Sequence, residues 1–252
     1  MDNKEFYYKT AATILFLGMI TINALANILP LNGLTTGEVS DLYPSLFTPS
    51  GFTFSIWSVI YLLLFIFLVF SWIKNKLFYT EKVYVLFALS SLLNIAWVFA
   101  WHHLLAGLSV LIMIGLLVTL TILFLHLQKN VPRDGTSLLL IHIPFTIYFA
   151  WICVATIANI AAFLVGIEWE GFGISASSWT IIMISVASLL GFYFCLRFAS
   201  IAYASVVVWA LVGILARWTG GSEKGIVYVS SIGIALLILS VLYQLFSRRR
   251  VA

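Results

Sequence analysis

The hydrophobic pattern of the chain is a series of long apolar stretches separated by short polar ones. A helix needs about 20 consecutive apolar residues to cross the hydrocarbon core of a bilayer. Eight stretches come close to or exceed this length, and we predict a membrane-spanning helix for each: 11–28, 54–73, 83–101, 105–125, 139–165, 179–196, 198–215 and 226–246. The predicted fold class is all-α, a polytopic transmembrane helical bundle of about eight spans.

Three features of the sequence affect the boundaries of these stretches. The fifth contains Pro144, so it is tilted, kinked there or begins after it. Only Arg197 separates the sixth from the seventh, which leaves little room for a turn. In the first, Ala24-Leu25-Ala26 resembles a signal-peptidase site, but residues 1–10 carry no net positive charge. The missing charge argues against cleavage of the first stretch, and the question stays open.

The distribution of basic residues predicts the orientation of the spans, because cytoplasmic flanks collect Lys and Arg. With the N-terminus inside, only Arg217 and Lys224 of the 13 basic residues lie outside. The other eleven flank inside ends: Lys4, Lys9, Lys74, Lys76, Lys82, Lys129, Arg133, Arg197, Arg248, Arg249 and Arg250. We therefore predict an integral, multi-pass protein of a bacterial-type inner or plasma membrane, with both termini cytoplasmic. A fusion of the sixth and seventh stretches would place the Arg tail outside, so we retain eight spans.

Composition and side-chain chemistry exclude several classes of function. The chain is 63% hydrophobic and 9% charged, whereas soluble domains are about 25% charged. Its dispersed basic residues argue against nucleic-acid binding. Cys153 and Cys195 lie in apolar runs, as buried small hydrophobes do. No pattern typical of a metal site, a cofactor or an intramembrane hydrolase is present, so we expect no metal, no cofactor and no catalytic residues.

The connection between the first two spans, residues 31–53, is the longest in the chain. It is rich in turn-forming Gly, Pro and Asn, and Glu38 and Asp41 are its only charges. It also carries more apolar side chains than a solvated loop needs. We therefore predict a lid that folds back over the helix ends through Tyr43, Phe47, Pro49 and Phe52.

Three predicted spans carry aromatic and amide side chains at helical spacing, which places them on one face of each helix. The three sets are Trp57 and Tyr61; Asn94, Trp97 and Trp101; and Trp151, Ala155 and Asn159. An Asn in hydrocarbon needs a polar partner, so these faces point into the bundle. They form either hydrogen-bonded contacts between helices or a cavity that suits a flat apolar ligand with polar edges.

These elements resemble the translocator or tryptophan-rich sensory protein family (TspO/MBR). The second span begins near Pro49 and contains Trp-x-x-x-Tyr at Trp57 and Tyr61; the third has Leu-Asn-x-x-Trp from Leu93 to Trp97. In the fifth, Ala155 and Asn159 follow Trp151 by four and eight residues. The elements occur in the family's order and cover about residues 10–165. The resemblance implies a five-helix core over 1–166 with a lid at 31–53, and three additional helices and a basic tail over 167–252.

The resemblance also implies a function. It predicts a non-enzymatic membrane receptor or translocator for a flat hydrophobic ligand, a tetrapyrrole such as porphyrin or a sterol-like lipid. The ligand-binding residues would be Trp57, Tyr61, Asn94, Trp97, Trp101, Trp151, Ala155 and Asn159. The alternatives are a permease, for which no internal repeat is visible, and a lipid- or porphyrin-modifying enzyme, whose only titratable candidates are His102, His103 and His142. A membrane subunit that packs against a partner, and a homodimer, also stay open.

Overall fold

The computed structural model describes residues 3–73, 80–130 and 135–248. Within these ranges the chain is helical with short connections and contains no strand. Eight of the described helical segments are long and apolar enough to cross a membrane. The all-α class and the eight predicted spans are therefore confirmed. Five of the basic residues used to predict orientation lie outside the described residues: Lys74, Lys76, Arg133, Arg249 and Arg250.

The helices follow the apolar stretches closely. They are α1 (Asn3–Ile28), the short α2 (Thr36–Asp41), α3 (Ile56–Ile73), α4 (Glu81–His102), α5 (Ala106–Lys129), the single turn α6 (Gly135–Ser137), α7 (Ile143–Gly166), α8 (Ala176–Phe198), α9 (Ile201–Trp218) and α10 (Lys224–Arg248). Short 3₁₀ turns lie at Leu31–Gly33, Gly51–Ser55 and Gly171–Gly173.

The sixth and seventh spans are separate helices, as predicted. Helix α8 ends at Phe198, and Ala199 takes a left-handed conformation with φ 49°. The backbone N–H of Ala199 bonds the carbonyl of Phe194. The Ser200 hydroxyl then accepts from the N–H of Tyr203 and caps α9. A left-handed residue followed by a hydroxyl cap is enough to reverse the chain within two residues.

The fifth span begins before Pro144. A π turn at Leu138–His142 lies directly between α6 and α7, and Pro144 is the second residue of α7. A π turn widens the backbone where proline lacks an N–H and its ring crowds the preceding turn. The span therefore reaches from Gly135 to Gly166 in spite of its proline.

The chain forms two compact units. The first comprises Met1–Tyr43 and Trp57–Ile152. In it α4 packs against both α1 and α5. The centre is a cluster of phenyl rings on α1, α3, α4 and α7. Phe67 contacts Phe87 at 5.6 Å and Phe145 at 4.8 Å between ring centroids, and Phe16 contacts Phe87 at 5.4 Å.

One cation of the first unit is buried. Lys9 in α1 is 1% exposed, and its Nζ donates to the Ser71 carbonyl at 2.8 Å near the C-terminal end of α3. It also lies 3.4 Å from Glu5 and 5.4 Å from the centre of the Trp72 ring. A helix C-terminus carries partial negative charge and free carbonyls, so a buried ammonium is stabilised there.

The second unit comprises Pro44–Ile56 and Cys153–Ala252. Helices α8, α9 and α10 pack against one another. Small residues permit close approach: a Cβ at Gly191 would lie 2.8 Å from Leu237 Cδ2, and one at Gly233 would lie 3.0 Å from Leu211 Cδ1. Such small-residue contacts are typical of packed membrane helices. The predicted division of the chain at residue 166 stays a prediction.

Candidate functional site

The first unit contains an aromatic cluster that joins α3 to α7. Trp57 and Tyr61, one turn apart on α3, stack with centroids 5.5 Å apart and planes 24° apart. Trp57 makes edge-to-face contacts with Tyr148 and Trp151, with centroids 6.0 Å and 6.3 Å apart. The i, i+4 spacing of Trp57 and Tyr61 and the i, i+3 spacing of Tyr148 and Trp151 put each pair on one helix face. The structure therefore brings the predicted residues Trp57, Tyr61 and Trp151 together.

Three buried polar atoms of this region lack hydrogen-bond partners among the described residues. They are the hydroxyls of Tyr61 and Tyr148 and the Nδ2 of Asn94. The Tyr148 hydroxyl lies near the side chains of Asn94 and Ser90 and interacts with them and with Tyr61, but it forms no well-directed hydrogen bond. Buried polar groups are usually paired, so these atoms can accept from or donate to an additional group such as a water or a ligand.

Asn94 has a polar partner on its other atom, as predicted. Its Oδ1 accepts from Asn23 Nδ2 at 2.8 Å, which joins α4 to α1. Asn23 and Tyr148 were not predicted as site residues. Both could have been identified from the sequence. Asn23 is an amide within an apolar stretch, and Tyr148 precedes Trp151 by one helical turn.

A second aromatic pair lies at the C-terminal end of α4. Trp97 and Trp101 stack with centroids 5.7 Å apart and planes 16° apart, and Tyr43 contacts Trp101 at 5.8 Å. Trp101 Nε1 donates to the Thr36 carbonyl at 3.3 Å. The fold-back predicted for the connection is thus observed for residues 31–43, although a lid function stays a prediction.

His102 holds the same part of the connection. The fully buried ring lies between the Leu31 carbonyl, 3.2 Å from Nδ1, and the Thr36 hydroxyl, 3.0 Å from Nε2. Asn32 Nδ2 donates to the His102 carbonyl at 3.1 Å. Because a carbonyl only accepts, Nδ1 carries the proton. His102 is therefore a structural histidine that positions the start of the connection.

The short helix α2 within this connection starts with a capping box. The Glu38 N–H donates to the Thr35 hydroxyl, and Glu38 Oε2 accepts from the Thr35 N–H at 2.7 Å and from its hydroxyl at 2.8 Å. These two bonds to the carboxylate lower the pKa of Glu38, with the backbone bond contributing most. The cap is complete above the usual pKa of a glutamate and is lost as the pH falls through the lowered value.

The remainder of the connection belongs to the second unit, where three hydrogen bonds fix it to α9. Trp218 Nε1 donates to the Leu46 carbonyl at 2.9 Å, and Trp209 Nε1 donates to the Thr53 carbonyl at 2.9 Å. The Ser50 N–H bonds the Gly213 carbonyl at 3.0 Å. Of the predicted lid residues in this segment, Phe47 and Pro49 are buried, and Phe52 is 48% exposed with its ring against Trp209.

Two predicted ligand-binding residues also belong to the second unit. Asn159 is buried, and Ala155 is half-buried, both on the C-terminal part of α7. Their roles stay predictions. Among the described residues, no three His, Cys, Asp or Glu side chains lie close enough together to hold a metal ion.

The second unit also contains a cavity of about 500 Å³ that the sequence did not predict. It is lined by the C-terminal part of α7, the 44–46 segment, the turn between α7 and α8, and the start of α8. Two indole rings, those of Trp169 and Trp179, and one carboxylate, that of Glu170, line it. None of the predicted ligand-binding residues lines this cavity.

A comparison with known families identifies the architecture. The family model described as TSPO-like protein matches residues 9–243. The match extends well past residue 165, where the resemblance was expected to end, and includes helices α8, α9 and most of α10. No curated protein and no solved structure matches the chain. With almost the whole chain matched, this eight-span membrane protein belongs to the TSPO-like protein family.

Proposed function

We propose that the chain is a non-enzymatic membrane receptor or translocator that binds a flat hydrophobic ligand at the aromatic cluster of the first unit. A tetrapyrrole such as a porphyrin is the proposed ligand class. The observation that carries the proposal is the trio of buried, unpartnered polar atoms on Tyr61, Tyr148 and Asn94, beside the rings of Trp57 and Trp151.

The chemistry of the trio favours a ligand over simple helix packing. Side chains that only join helices bond one another, as Asn23 and Asn94 Oδ1 do. A buried hydroxyl or amide N–H without a partner costs free energy, of the order of 1–3 kcal/mol in mutational data. Aromatic rings that stack and donors that pair are the two groups that a planar heterocycle with polar edges requires.

The connection that folds onto α4 supports a gated site. Tyr43, Trp101 and His102 hold residues 31–43 at the C-terminal end of α4, and Trp97 stacks on Trp101 one turn before that end. We infer that this segment acts as a lid and that the ligand enters when it opens. The distribution of Lys and Arg supports cytoplasmic N- and C-termini, which would place the lid on the outside face of a bacterial-type inner or plasma membrane.

The experiment compares two tryptophans of the same helix. Purified protein is titrated with protoporphyrin IX, and saturable quenching of tryptophan fluorescence is measured together with the shift of the porphyrin absorption band. Trp57→Phe is expected to weaken binding by at least about threefold, because a ring of the cluster is replaced by a smaller one. Trp72→Phe is the matched control, since Trp72 lies near the other end of α3 and bonds the Thr13 hydroxyl.

Two results would overturn the proposal: the absence of saturable binding by the wild-type protein, or equal weakening by both variants. The porphyrin recovered after prolonged incubation is expected to be unchanged. Steady conversion of the porphyrin by the wild-type protein would show that the protein is an enzyme and not a receptor.

A further inference from the structure

The cavity of the second unit has a chemistry that differs from that of the aromatic cluster. Its volume of about 500 Å³ lies within the range of small-molecule sites. Leu46, Ala161, Leu164, Val165 and Ile174 give it a largely apolar wall. Among the described residues that line it, Glu170 alone carries a charge. The cavity thus combines an apolar body with a single negative group.

Two indole rings form a corner in this cavity. Trp169 and Trp179 have centroids 5.4 Å apart and planes inclined at 48°. Trp179 is fixed, because its Nε1 donates to the Gly171 carbonyl at 2.9 Å and because Gly171, with φ +68°, leaves only enough room for the indole. Inclined indole faces attract organic cations through their negative π faces.

The carboxylate of Glu170 is available to such a cation. Glu170 is exposed and makes no ion pair with any residue between 3 and 248 that the structure describes. At the start of α8 other side chains serve the helix end: Ser175 caps it, and the Ser177 hydroxyl donates to Glu223 Oε2 at 2.7 Å. An anion in the cavity would be repelled by the carboxylate of Glu170.

The rim of the cavity is apolar as well. Phe172 is 86% exposed in the turn between α7 and α8, and its ring is nearly perpendicular to that of Trp169, with centroids 5.2 Å apart. Ile174 lines the cavity and is 42% exposed. An apolar entrance beside the end of two membrane spans suits a ligand that partitions into the bilayer.

We propose that this cavity binds an amphiphilic organic cation, an onium group with apolar substituents, with the cation held by Trp169, Trp179 and Glu170. Such a group is present in free hydrophobic cations and in the choline headgroup of lipids. The site is separate from the tetrapyrrole site and excludes that ligand class by charge, because the carboxylates of a porphyrin would face Glu170.

The test uses two ions of the same shape and opposite charge. Isothermal titration of the purified protein with tetraphenylphosphonium is expected to show one saturable site, and titration with tetraphenylborate is expected to show none. Glu170→Gln is expected to weaken phosphonium binding about tenfold, and Trp169→Leu by about three- to thirtyfold. Glu168→Gln is the matched control, because it removes the same charge two residues away, outside the lining of the cavity.

Native mass spectrometry distinguishes the two sources of the cation. Retention of phosphatidylcholine over phosphatidylglycerol by the wild-type protein, lost in Glu170→Gln, would assign the site to a lipid headgroup. Phosphonium binding without lipid retention would assign it to free cations. Three results would overturn the proposal. They are equal binding of tetraphenylphosphonium and tetraphenylborate, equal weakening of phosphonium binding by Glu170→Gln and Glu168→Gln, and the absence of both phosphonium binding and phosphatidylcholine retention. Thermal unfolding of each variant shows that it is folded, and the porphyrin titration is an independent readout.

Discussion

The hydroxyl of Tyr61 gives the most direct test of the aromatic cluster. Its oxygen is buried and makes no hydrogen bond with any residue that the structure describes. Tyr61→Phe removes this oxygen and leaves the ring stacked on Trp57. If the hydroxyl serves the ligand, the substitution stabilises the empty protein and weakens the complex. If the hydroxyl instead contributes to packing, the substitution is expected to destabilise the empty protein.

The magnitude follows from the environment of the hydroxyl. A buried hydroxyl without a partner costs about 1–3 kcal/mol, so its removal raises the free energy of unfolding by about 1 kcal/mol or more. For a chain of this length, 1 kcal/mol raises the unfolding temperature by about 2–4 °C. In the complex a net hydrogen-bond contribution of about 0.5–1.5 kcal/mol is lost, so the dissociation constant rises about two- to twelvefold.

Both quantities are measured on the same preparations. Thermal unfolding in detergent gives the change in stability, and titration with protoporphyrin IX gives the affinity. Tyr148→Phe is expected to change both quantities in the same direction as Tyr61→Phe but to a smaller extent, because its hydroxyl forms no well-directed hydrogen bond yet lies near Asn94 and Ser90. Tyr228→Phe is the control, since Tyr228 is 65% exposed in the other unit. A lowered unfolding temperature with unchanged affinity in Tyr61→Phe would refute the assignment of the hydroxyl to a ligand.

Two further predictions concern stability. Gly213→Ala is expected to lower the free energy of unfolding by about 1–3 kcal/mol, because the new Cβ would lie 2.9 Å from Thr53 Cβ and would meet its hydroxyl even more closely. Gly115→Ala is the control: its Cβ would make ordinary contacts at 3.8 Å, so this variant should be neutral or stabilising. Equal losses of stability in the two variants, measured by thermal unfolding, would contradict the steric reason. Lys9→Met is expected to destabilise the protein, because it leaves the Ser71 carbonyl without its ammonium donor. Lys9→Arg should recover part of this loss. An unchanged unfolding temperature in Lys9→Met would show that the hydrogen bond contributes nothing to stability.

The spans were predictable because the length and composition of a membrane helix are properties of a local stretch of sequence. Each predicted stretch corresponds to one continuous helical segment, and the largest difference at an end is in α1, which starts eight residues before the predicted residue 11 because Asn3–Thr10 continue the helix. The position of Lys9 was not predictable in the same way. Its charge suggests a solvated flank, and its burial depends on the end of α3, which lies 62 residues away in the sequence.

The candidate site was predictable in part for the same reason. Helical spacing identified the faces that carry Trp57, Trp97 and Trp151, and the need of Asn94 for a partner placed its face inside the bundle. The identity of that partner, Asn23, and the orphan hydroxyl of Tyr148 arise from the way different helices meet. Periodicity along one helix contains no information about the residue opposite it on another.

The turn that lines the cavity of the second unit was not predicted, although its conformation depends on a short stretch of sequence. The turns after α1 and after α7 share one backbone conformation. In each turn a residue with φ near +55° is followed by a glycine at φ +79°, an extended apolar residue and a Ser or Thr that is the N-cap of the next helix. The two turns are Asn32-Gly33-Leu34-Thr35 and Phe172-Gly173-Ile174-Ser175. Asn-Gly is a recognised turn signal, whereas Phe is rarely found at positive φ. In the second turn the bond from Trp179 to the Gly171 carbonyl holds the backbone over the indole. The residues that fix the turn are therefore also residues that line the cavity, so that a substitution at Gly171 or Trp179 is expected to alter both together.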